Sequence, residues 1–161
     1  MPDGGLIITI RTPAWRSALP GVRALAKKAV GAVLDLKTTE VSLVLADDAF
    51  VHALNKQYRG KDKPTNVLSF PSPDEYKDRD VWLAGDIVVA LETLQREAAE
   101  QHKSLDAHLT HLLVHGALHL KGYDHILDEE ADVMEALEID ILHQLGYRNP
   151  YQQREGNETT G

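Results

Sequence analysis

The stretch HGALHLKGYDH, residues 115–125, is the most informative segment of the chain. Its first two histidines, His115 and His119, are four residues apart, so on a helix they project from one face about one turn apart. Gly122 allows the helix to end with a positive φ, and the chain can then turn back to bring His125 to the same point. Three neutral imidazoles with room for water are typical of a catalytic zinc site. We therefore predict one Zn²⁺ ion held by these three histidines, and the alternative is another metal that imidazole binds, because affinity alone does not choose among such ions.

Short strands and helices flank this segment. Runs rich in apolar and β-branched residues predict four strands, at residues 6–10, 41–45, 67–70 and 87–90, the third of them at a sheet edge. Helical patterns predict helices at residues 12–36 with a break at Pro20 and Gly21, at 49–58, at 91–101, from 105 through the histidine motif, and at 128–146. We predict a single α+β domain over residues 1–149, with a small mixed four-stranded sheet packed against about five helices. We expect a disordered tail at residues 150–161.

The composition is that of an ordinary globular protein. Of the 161 residues, 43% are hydrophobic and 26% are charged, and no apolar run approaches the roughly 20 residues that span a bilayer. The opening MPDGGLIITI has no basic segment before its apolar residues and no cleavage-like site, so export is not expected. Without cysteine, the chain must hold a metal through His, Asp or Glu. These features favour a cytoplasmic protein without membrane contact.

The net charge of −8 conceals a polarised chain. Residues 1–63 contain 10 Lys and Arg against 6 Asp and Glu, whereas residues 64–161 contain 7 against 19. A basic first half beside the metal would suit a polyanion such as RNA. The alternative is that both halves simply present solvated helix faces.

The histidine spacing is similar to that of the metzincin peptidases, HExxHxxGxxH, which predicts a metzincin-like metal helix. In those enzymes the residue after the first histidine is a glutamate that acts as the general base. Here that residue is Gly116, which cannot accept a proton, so a peptidase of the usual kind is disfavoured. Glycine also costs a helix about 1 kcal/mol relative to alanine. Gly116 therefore either clears room for a substrate group beside the metal or permits close packing of the helix.

Three segments together resemble the bacterial YbeY family: HGALHLKGYDH at residues 115–125, NKQYRGKDKPTNVLSFP at 55–71 and AGDIVVA at 84–90. The resemblance extends over about residues 41–145. It implies an endoribonuclease that cuts single-stranded RNA, matures 16S rRNA at its 3′ end and acts in ribosome quality control. Its partners would then be rRNA and the small ribosomal subunit.

The resemblance also implies roles for individual residues. A single zinc would be held by His115, His119 and His125, and the arginine of the Tyr-Arg pair, Arg59, would be functionally important. At position 66 the resemblance leads us to expect an aspartate, whereas this chain has Asn66. A role for a carboxylate at that position is therefore in doubt.

Positive side chains near Arg59 fit a phosphodiester substrate. The planar guanidinium of Arg59 can hold two phosphoryl oxygens as negative charge develops on them, which makes it our candidate catalytic residue. The alternative is a surface ion pair of Arg59 with Asp62. Lys61 and Lys63 would either contact RNA or lie in a solvated loop.

The group that moves the proton is open at this stage. Asp124 precedes a predicted ligand and could orient it or take a proton, although an aspartate that stabilises the turn is the simpler interpretation. A phosphate oxygen of the RNA could serve as the base, or the 2′-hydroxyl could be the nucleophile. His111, one turn before His115, is expected to support a ligand rather than to bind the metal.

The last predicted helix is strongly acidic. Its acidic residues are Asp128, Glu129, Glu130, Asp132, Glu135, Glu138 and Asp140. The apolar residues Val133, Leu137, Ile141 and Leu145 recur at helical spacing and predict its buried stripe. The acidic residues would form a solvated face or a docking face for a basic ribosomal protein.

Two alternatives to the ribonuclease remain. One is a different metallohydrolase, such as a peptidase with a substitute base, which Gly116 disfavours. The other is a ribosome-assembly factor whose zinc only stabilises the fold. Three predicted ligands disfavour that alternative, because structural zinc normally has four protein ligands.

Overall fold

The computed structural model describes residues 5–73, 82–123 and 128–151. The strands are β1 Leu6–Ile10, β2 Thr39–Ala46, β3 Val67–Pro71 and β4 Trp82–Ala90. The helices are α1 Ala14–Ala18, α2 Val22–Gly31, α3 Asp48–Arg59, α4 Leu91–Glu100, α5 Leu105–Leu120 and α6 Asp128–Gln144. The predicted single α+β domain with a four-stranded mixed sheet is confirmed.

The four strands form one sheet in the order β1-β2-β4-β3. β1, β2 and β4 are parallel, while β3 pairs antiparallel to β4 at the edge, as the sequence predicted for residues 67–70. β4 begins at Trp82 rather than at residue 87, because it pairs with β2 along its whole length. Gly85 makes the approach of β3 possible: its φ is +136°, and a Cβ there would lie 2.2 Å from the carbonyl oxygen of Phe70. The edge strand β3 is thereby held beside the histidine motif.

The segment between β1 and β2 is less helical than its pattern suggests. The predicted break at Pro20 and Gly21 separates α1 from α2. α2 ends at Gly31, not near Leu36, and Asp35 contributes to this because its carboxylate accepts a hydrogen bond from the backbone N–H of Lys37 at 3.0 Å. Such local side-chain bonds compete with helix continuation.

Helix α5 is the centre of the domain. It packs against α2, α4, α6, β3 and β4, and its buried residues lie on nearly every side. The hydroxyl of Ser104 caps it by accepting from the N–H of Ala107 at 3.3 Å. Truncating one of its buried leucines, such as Leu113, would cost about 2–5 kcal/mol. His115 and His119 are therefore mounted on a helix that core packing holds on several sides.

Among the described residues, no helix combines the length and the apolar character that crossing a membrane requires.

The register of α6 differs from the predicted one. Met134, Glu138 and Leu142 are buried, whereas Val133 is 52% exposed. Leu137, Ile141 and Leu145 are only partly buried at the margin of the core. An apolar stripe on a globular helix is at least 100° wide, so the same sequence allows either of two adjacent rows of residues, each at four-residue spacing, to face the core. In α6 the row of Met134, Glu138 and Leu142 faces the core. The prediction that Glu138 belongs to a solvated or docking face is therefore wrong.

Candidate active site

A cleft of about 620 Å³ opens between α5, the edge strand β3 and the end of α3. Its volume lies within the range of small-molecule and substrate sites. The residues that line it are Arg59, Asn66, Val67, Ser69, Pro71, His111, Leu112, His115, His119 and Tyr151. Four residues that the sequence singled out, Arg59, His111, His115 and His119, thus face one cavity.

His115 and His119 converge as their spacing predicts. Their Nε2 atoms are 3.1 Å apart. Two nitrogens that are each about 2.0–2.1 Å from one tetrahedral zinc lie roughly 3.3 Å apart, so the pair needs almost no movement to share an ion. The donor chemistry also fits zinc, since imidazole nitrogen is one of its usual ligands.

The predicted third ligand, His125, and the neighbouring Asp124 lie outside the described residues. Within residues 5–73, 82–123 and 128–151, no three His, Asp or Glu side chains form a group that could hold a metal. The three-histidine set and the role of Asp124 therefore stay predictions, of which the structure places two members, His115 and His119.

Glu138 is a site residue that the sequence analysis missed. It is 0% exposed, and its carboxylate accepts hydrogen bonds from His115 Nδ1, Tyr151 Oη and, at 3.3 Å, His111 Nε2. Burial alone would raise the pKa of Glu138, but the hydrogen bonds from these three side chains outweigh it and lower the pKa to about 2. A signal was present, because Glu138 lies four residues from both Met134 and Leu142 in what would otherwise be an apolar row.

His111 lines the cleft one turn before His115. Besides its bond to Glu138, its ring packs edge-on against Tyr151 with the centroids 5.7 Å apart. Burial lowers the pKa of His111 below its usual value, although Glu138 opposes that shift. The supporting role of His111 stays a prediction, and the structure places its ring on the same carboxylate as His115.

Arg59 reaches the cleft from the last turn of α3. Gly60, with φ +68°, ends the helix in the left-handed conformation. The Nη2 of Arg59 donates to the carbonyl oxygen of Ser69 at 3.2 Å, and its guanidinium carbon lies 5.8 Å from the centre of the Phe70 ring. Among the described residues the guanidinium of Arg59 contacts the carbonyl of Ser69 rather than Asp62, whose carboxylate contacts His52 Nε2 at 2.6 Å.

Lys61 and Lys63 lie in the exposed loop that follows Arg59. The buried Asn55 holds this loop. Its side-chain Nδ2 donates to the backbone carbonyl of Lys63 at 2.9 Å, and its backbone carbonyl accepts from the N–H of Lys61 at 3.2 Å. Neither lysine is among the residues that line the cleft. Contact of Lys61 and Lys63 with RNA therefore stays a prediction.

Gly116 faces the sheet. A Cβ at this position would lie 3.1 Å from Ser69 Oγ and 3.4 Å from Ile87 Cγ2. The glycine therefore allows α5 to pack closely on β3 and β4, and the alternative that it clears room for a substrate group does not fit the structure. A glutamate, the residue that metzincins have there, would be overpacked.

Asn66 connects the cleft to a polar network behind it. Its Nδ2 donates to Glu97 Oε1 at 2.9 Å, and the same oxygen contacts His108 Nε2 at 2.9 Å. An aspartate at position 66 would set two carboxylates against each other, which explains why an amide suits this chain. Burial acts to raise the pKa of Glu97, but the hydrogen bonds from His108 and Asn66 outweigh it and hold that pKa below its ordinary value.

This network predicts a pH-dependent contribution to stability. Because the pKa of Glu97 is lower in the folded protein, its stabilising effect is present above the ordinary value of 4.5 and is lost as the pH falls through the folded value. Denaturant unfolding of the wild type and of Glu97→Gln should show a free-energy difference at pH 7 that shrinks below about pH 4.5. Glu100→Gln, an exposed carboxylate on the same helix, is the control. A Glu97 difference that stays constant down to pH 3 would contradict the assignment.

The fold and the cleft define a class of protein: a single-domain α+β protein with paired imidazoles from one buried helix and an arginine facing them. The family model described as Endoribonuclease YbeY matches residues 10–146 of this chain. The chain therefore belongs to the YbeY endoribonuclease family, as the three sequence segments predicted.

Relatives of the same description extend over most of the chain. Endoribonuclease YbeY of Paramagnetospirillum magneticum is 50% identical over 156 residues, which cover 91% of this chain and 94% of the relative. That of Sinorhizobium medicae is 58% identical over 119 residues, covering 73% and 71% of the two chains. The solution structure of TM1509 from Thermotoga maritima matches with a TM-score of 0.54 at 24% identity, covering 87% of this chain and 91% of that one, and supports the fold.

Proposed function

We propose that this protein is a zinc-dependent endoribonuclease that cuts single-stranded RNA during rRNA processing. The observation that carries the proposal is the convergence of His115 and His119 Nε2, 3.1 Å apart, in a cleft that Arg59 also lines. The process we propose is maturation of the 3′ end of 16S rRNA together with ribosome quality control, on the small ribosomal subunit in the cytoplasm. Family membership supports the ribonuclease activity.

Three histidines would hold the ion. His115 and His119 present their Nε2 atoms to the cleft, and His125 is the proposed third ligand. A zinc ion held by neutral imidazoles supplies a Lewis acid that polarises a phosphoryl oxygen and lowers the pKa of water to about 7. The remaining steps depend on side chains of the chain itself.

Arg59 is suited to hold the phosphate. A guanidinium has five N–H donors, and one contact, to the carbonyl of Ser69, anchors it at the edge of the cleft. Within the part of the chain that the structure describes, its other donors make no further hydrogen bond, so they would hold two oxygens of a phosphodiester and stabilise the charge that develops during cleavage. The anchoring contact sets the position of the guanidinium relative to the histidines.

A single strand fits the cleft better than a duplex does. The side chain of His115 lines the cleft and is only 26% exposed. A phosphate can reach it only if the backbone bends into the cleft, and the stacked bases of a duplex resist such a bend. We therefore assign the preference for single-stranded RNA to the depth of the site.

Glu138 is not suited to be the general base in this arrangement, because three donors already occupy its two oxygens. A phosphate oxygen, the RNA 2′-hydroxyl route and Asp124 remain as the alternatives. The ends of the products separate them, since attack by the 2′-hydroxyl leaves a 2′,3′-cyclic phosphate whereas attack by water leaves a hydroxyl and a linear phosphate.

A basic ribosomal protein is the proposed partner of the exposed acidic residues of α6. With Glu138 removed from the set, the exposed members are Glu129, Glu130, Asp132, Glu135 and Asp140. Their charge is complementary to a basic surface, and complementary charge steers association. Salt-sensitive binding to the small subunit would support this part of the proposal.

The test is one incubation of metal-quantified protein with an end-labelled single-stranded RNA and with the same RNA annealed to its complement. We expect cleavage within the single strand, little cleavage of the duplex and a product end that end-group analysis identifies. A parallel incubation with casein should give no peptides. Equal cleavage of both RNA forms, or cleavage of casein alone, would contradict the proposed function.

A further inference from the structure

We infer that Glu138 is a positioning residue that fixes the tautomer and orientation of His115, so that the Nε2 of His115 faces the cleft as an acceptor. Tyr151 in turn holds Glu138. The inference rests on the proposed function in one respect, namely that His115 binds a metal. The claim about the tautomer concerns the chain alone.

The contacts of Glu138 determine where the protons are. An ionised carboxylate can only accept hydrogen bonds, so each of its three partners must donate. His115 therefore carries its proton on Nδ1, the atom that contacts Glu138 Oε1. A neutral imidazole has a single N–H, so with the proton on Nδ1 the Nε2 atom carries the acceptor lone pair. This is the atom that lies 3.1 Å from His119 Nε2.

The surroundings of Glu138 make this arrangement rigid. Glu138 is fully buried on α6, and α6 packs against α5, which carries His115. A buried carboxylate that loses its donors pays a large desolvation cost, so the folded state favours the rotamers of His115 and His111 that keep both bonds. The ring of His115 is thereby held before any ligand arrives.

Tyr151 covers the Glu138 carboxylate on the side of the cleft. Its hydroxyl donates to Glu138 Oε2, and its ring packs against His111. The backbone N–H of Tyr151 donates to Asn149 Oδ1 at 2.8 Å, which turns the chain after α6 back towards the site. A residue beyond the last helix, in the segment that the sequence assigns to the tail, is thus part of the site.

The consequence is a preorganised ligand. If Glu138 could not accept from Nδ1, the proton of His115 would also populate Nε2 and point into the cleft, where it would oppose a cation. Carboxylates that orient a ligating histidine in this way typically contribute 10- to 100-fold to metal affinity. His115 should therefore bind a metal more weakly when Glu138 is changed, although Glu138 would not itself touch the ion.

The test uses Glu138→Gln, which keeps the shape of the side chain and replaces one acceptor oxygen by a donor. Two properties are measured: the ¹⁵N chemical shifts of His115 in metal-free protein, and the zinc affinity by competition with a chelator. We expect His115 to change from the Nδ1–H form to a mixture of tautomers, and zinc affinity to fall about 10- to 100-fold. Glu100→Gln, the same change at an exposed position of α4, should match the wild type in both.

A second variant keeps the test decisive if Glu138→Gln does not fold. Tyr151→Phe removes one donor to Glu138 and should lower zinc affinity by a smaller factor, with a detectable Nε2–H population at His115. A His115 that stays in the Nδ1–H form in every folded variant, with zinc affinity equal to that of the wild type, would overturn the inference. If the wild type binds no zinc, the proposed function fails, whereas the tautomer measurement still tests the role of Glu138.

Discussion

Replacing His119 with alanine is expected to reduce RNA cleavage by at least about 10³-fold and to remove most of the bound zinc. His119 contributes one of the two described Nε2 atoms that converge in the cleft, so its loss leaves at most two proposed ligands. A catalytic zinc normally has three protein ligands. The ring is only partly buried on α5, so its removal should leave the fold intact. Cleavage rate, zinc content by mass spectrometry and the circular dichroism spectrum are measured together.

The control is His143→Ala, an exposed histidine in the last turn of α6. It removes an imidazole of the same kind at a position that does not line the cleft, so cleavage and zinc content should stay at wild-type values. A His119→Ala protein that folds, loses its zinc and still cuts RNA at the wild-type rate would show that this cleft is not the active site.

Replacing Arg59 with alanine is expected to lower kcat by about 10²- to 10³-fold, the typical loss when one donor to a developing oxyanion is removed. Arg59 lines the cleft opposite the histidines and is held there by the carbonyl of Ser69. Because the proposed contact strengthens as negative charge develops, kcat should fall more than KM rises. Zinc content should not change. Single-turnover cleavage of a short single-stranded RNA measures the effect.

Two further variants separate the contribution of geometry from that of charge. Arg59→Lys keeps the positive charge but loses the planar fork, so it should recover only part of the lost rate. Lys56→Ala removes an exposed positive charge one turn earlier on α3 and should have a small effect. If Arg59→Ala and Lys56→Ala lower the rate equally, Arg59 contributes only general attraction of RNA and its catalytic role is refuted.

The features that the sequence predicted correctly are those with local causes. The predicted helix starts near residues 49 and 105 have such causes: Asp47 caps α3 by accepting from the N–H of Phe50 at 2.9 Å, and Ser104 caps α5, each through a bond between residues three apart. The pairing of His115 with His119 is equally local, since it needs only one turn of helix. Arg59 was found through family resemblance, because its distance from the motif along the chain hides its proximity.

What the sequence did not predict depends on contacts between distant elements. Glu138 has the character of a surface residue in an acidic helix, and only the packing of α6 on α5 turns it inward to His115. The sequence places Tyr151 in the predicted tail, because no neighbouring residue in the chain indicates its hydrogen bond to Glu138. Glu138 is a buried charge and Tyr151 is one of the donors that compensate for it, and this compensation follows from the assembled core.

The most direct test is to titrate metal-stripped protein with zinc and to record the rate of cleavage of a single-stranded RNA at each zinc content. Two imidazole nitrogens 3.1 Å apart, with a third histidine predicted nearby, should bind a single ion. We predict that the rate rises in proportion to bound zinc and stops rising at one ion per chain. Cleavage at the full rate by protein shown to contain no metal would contradict this account.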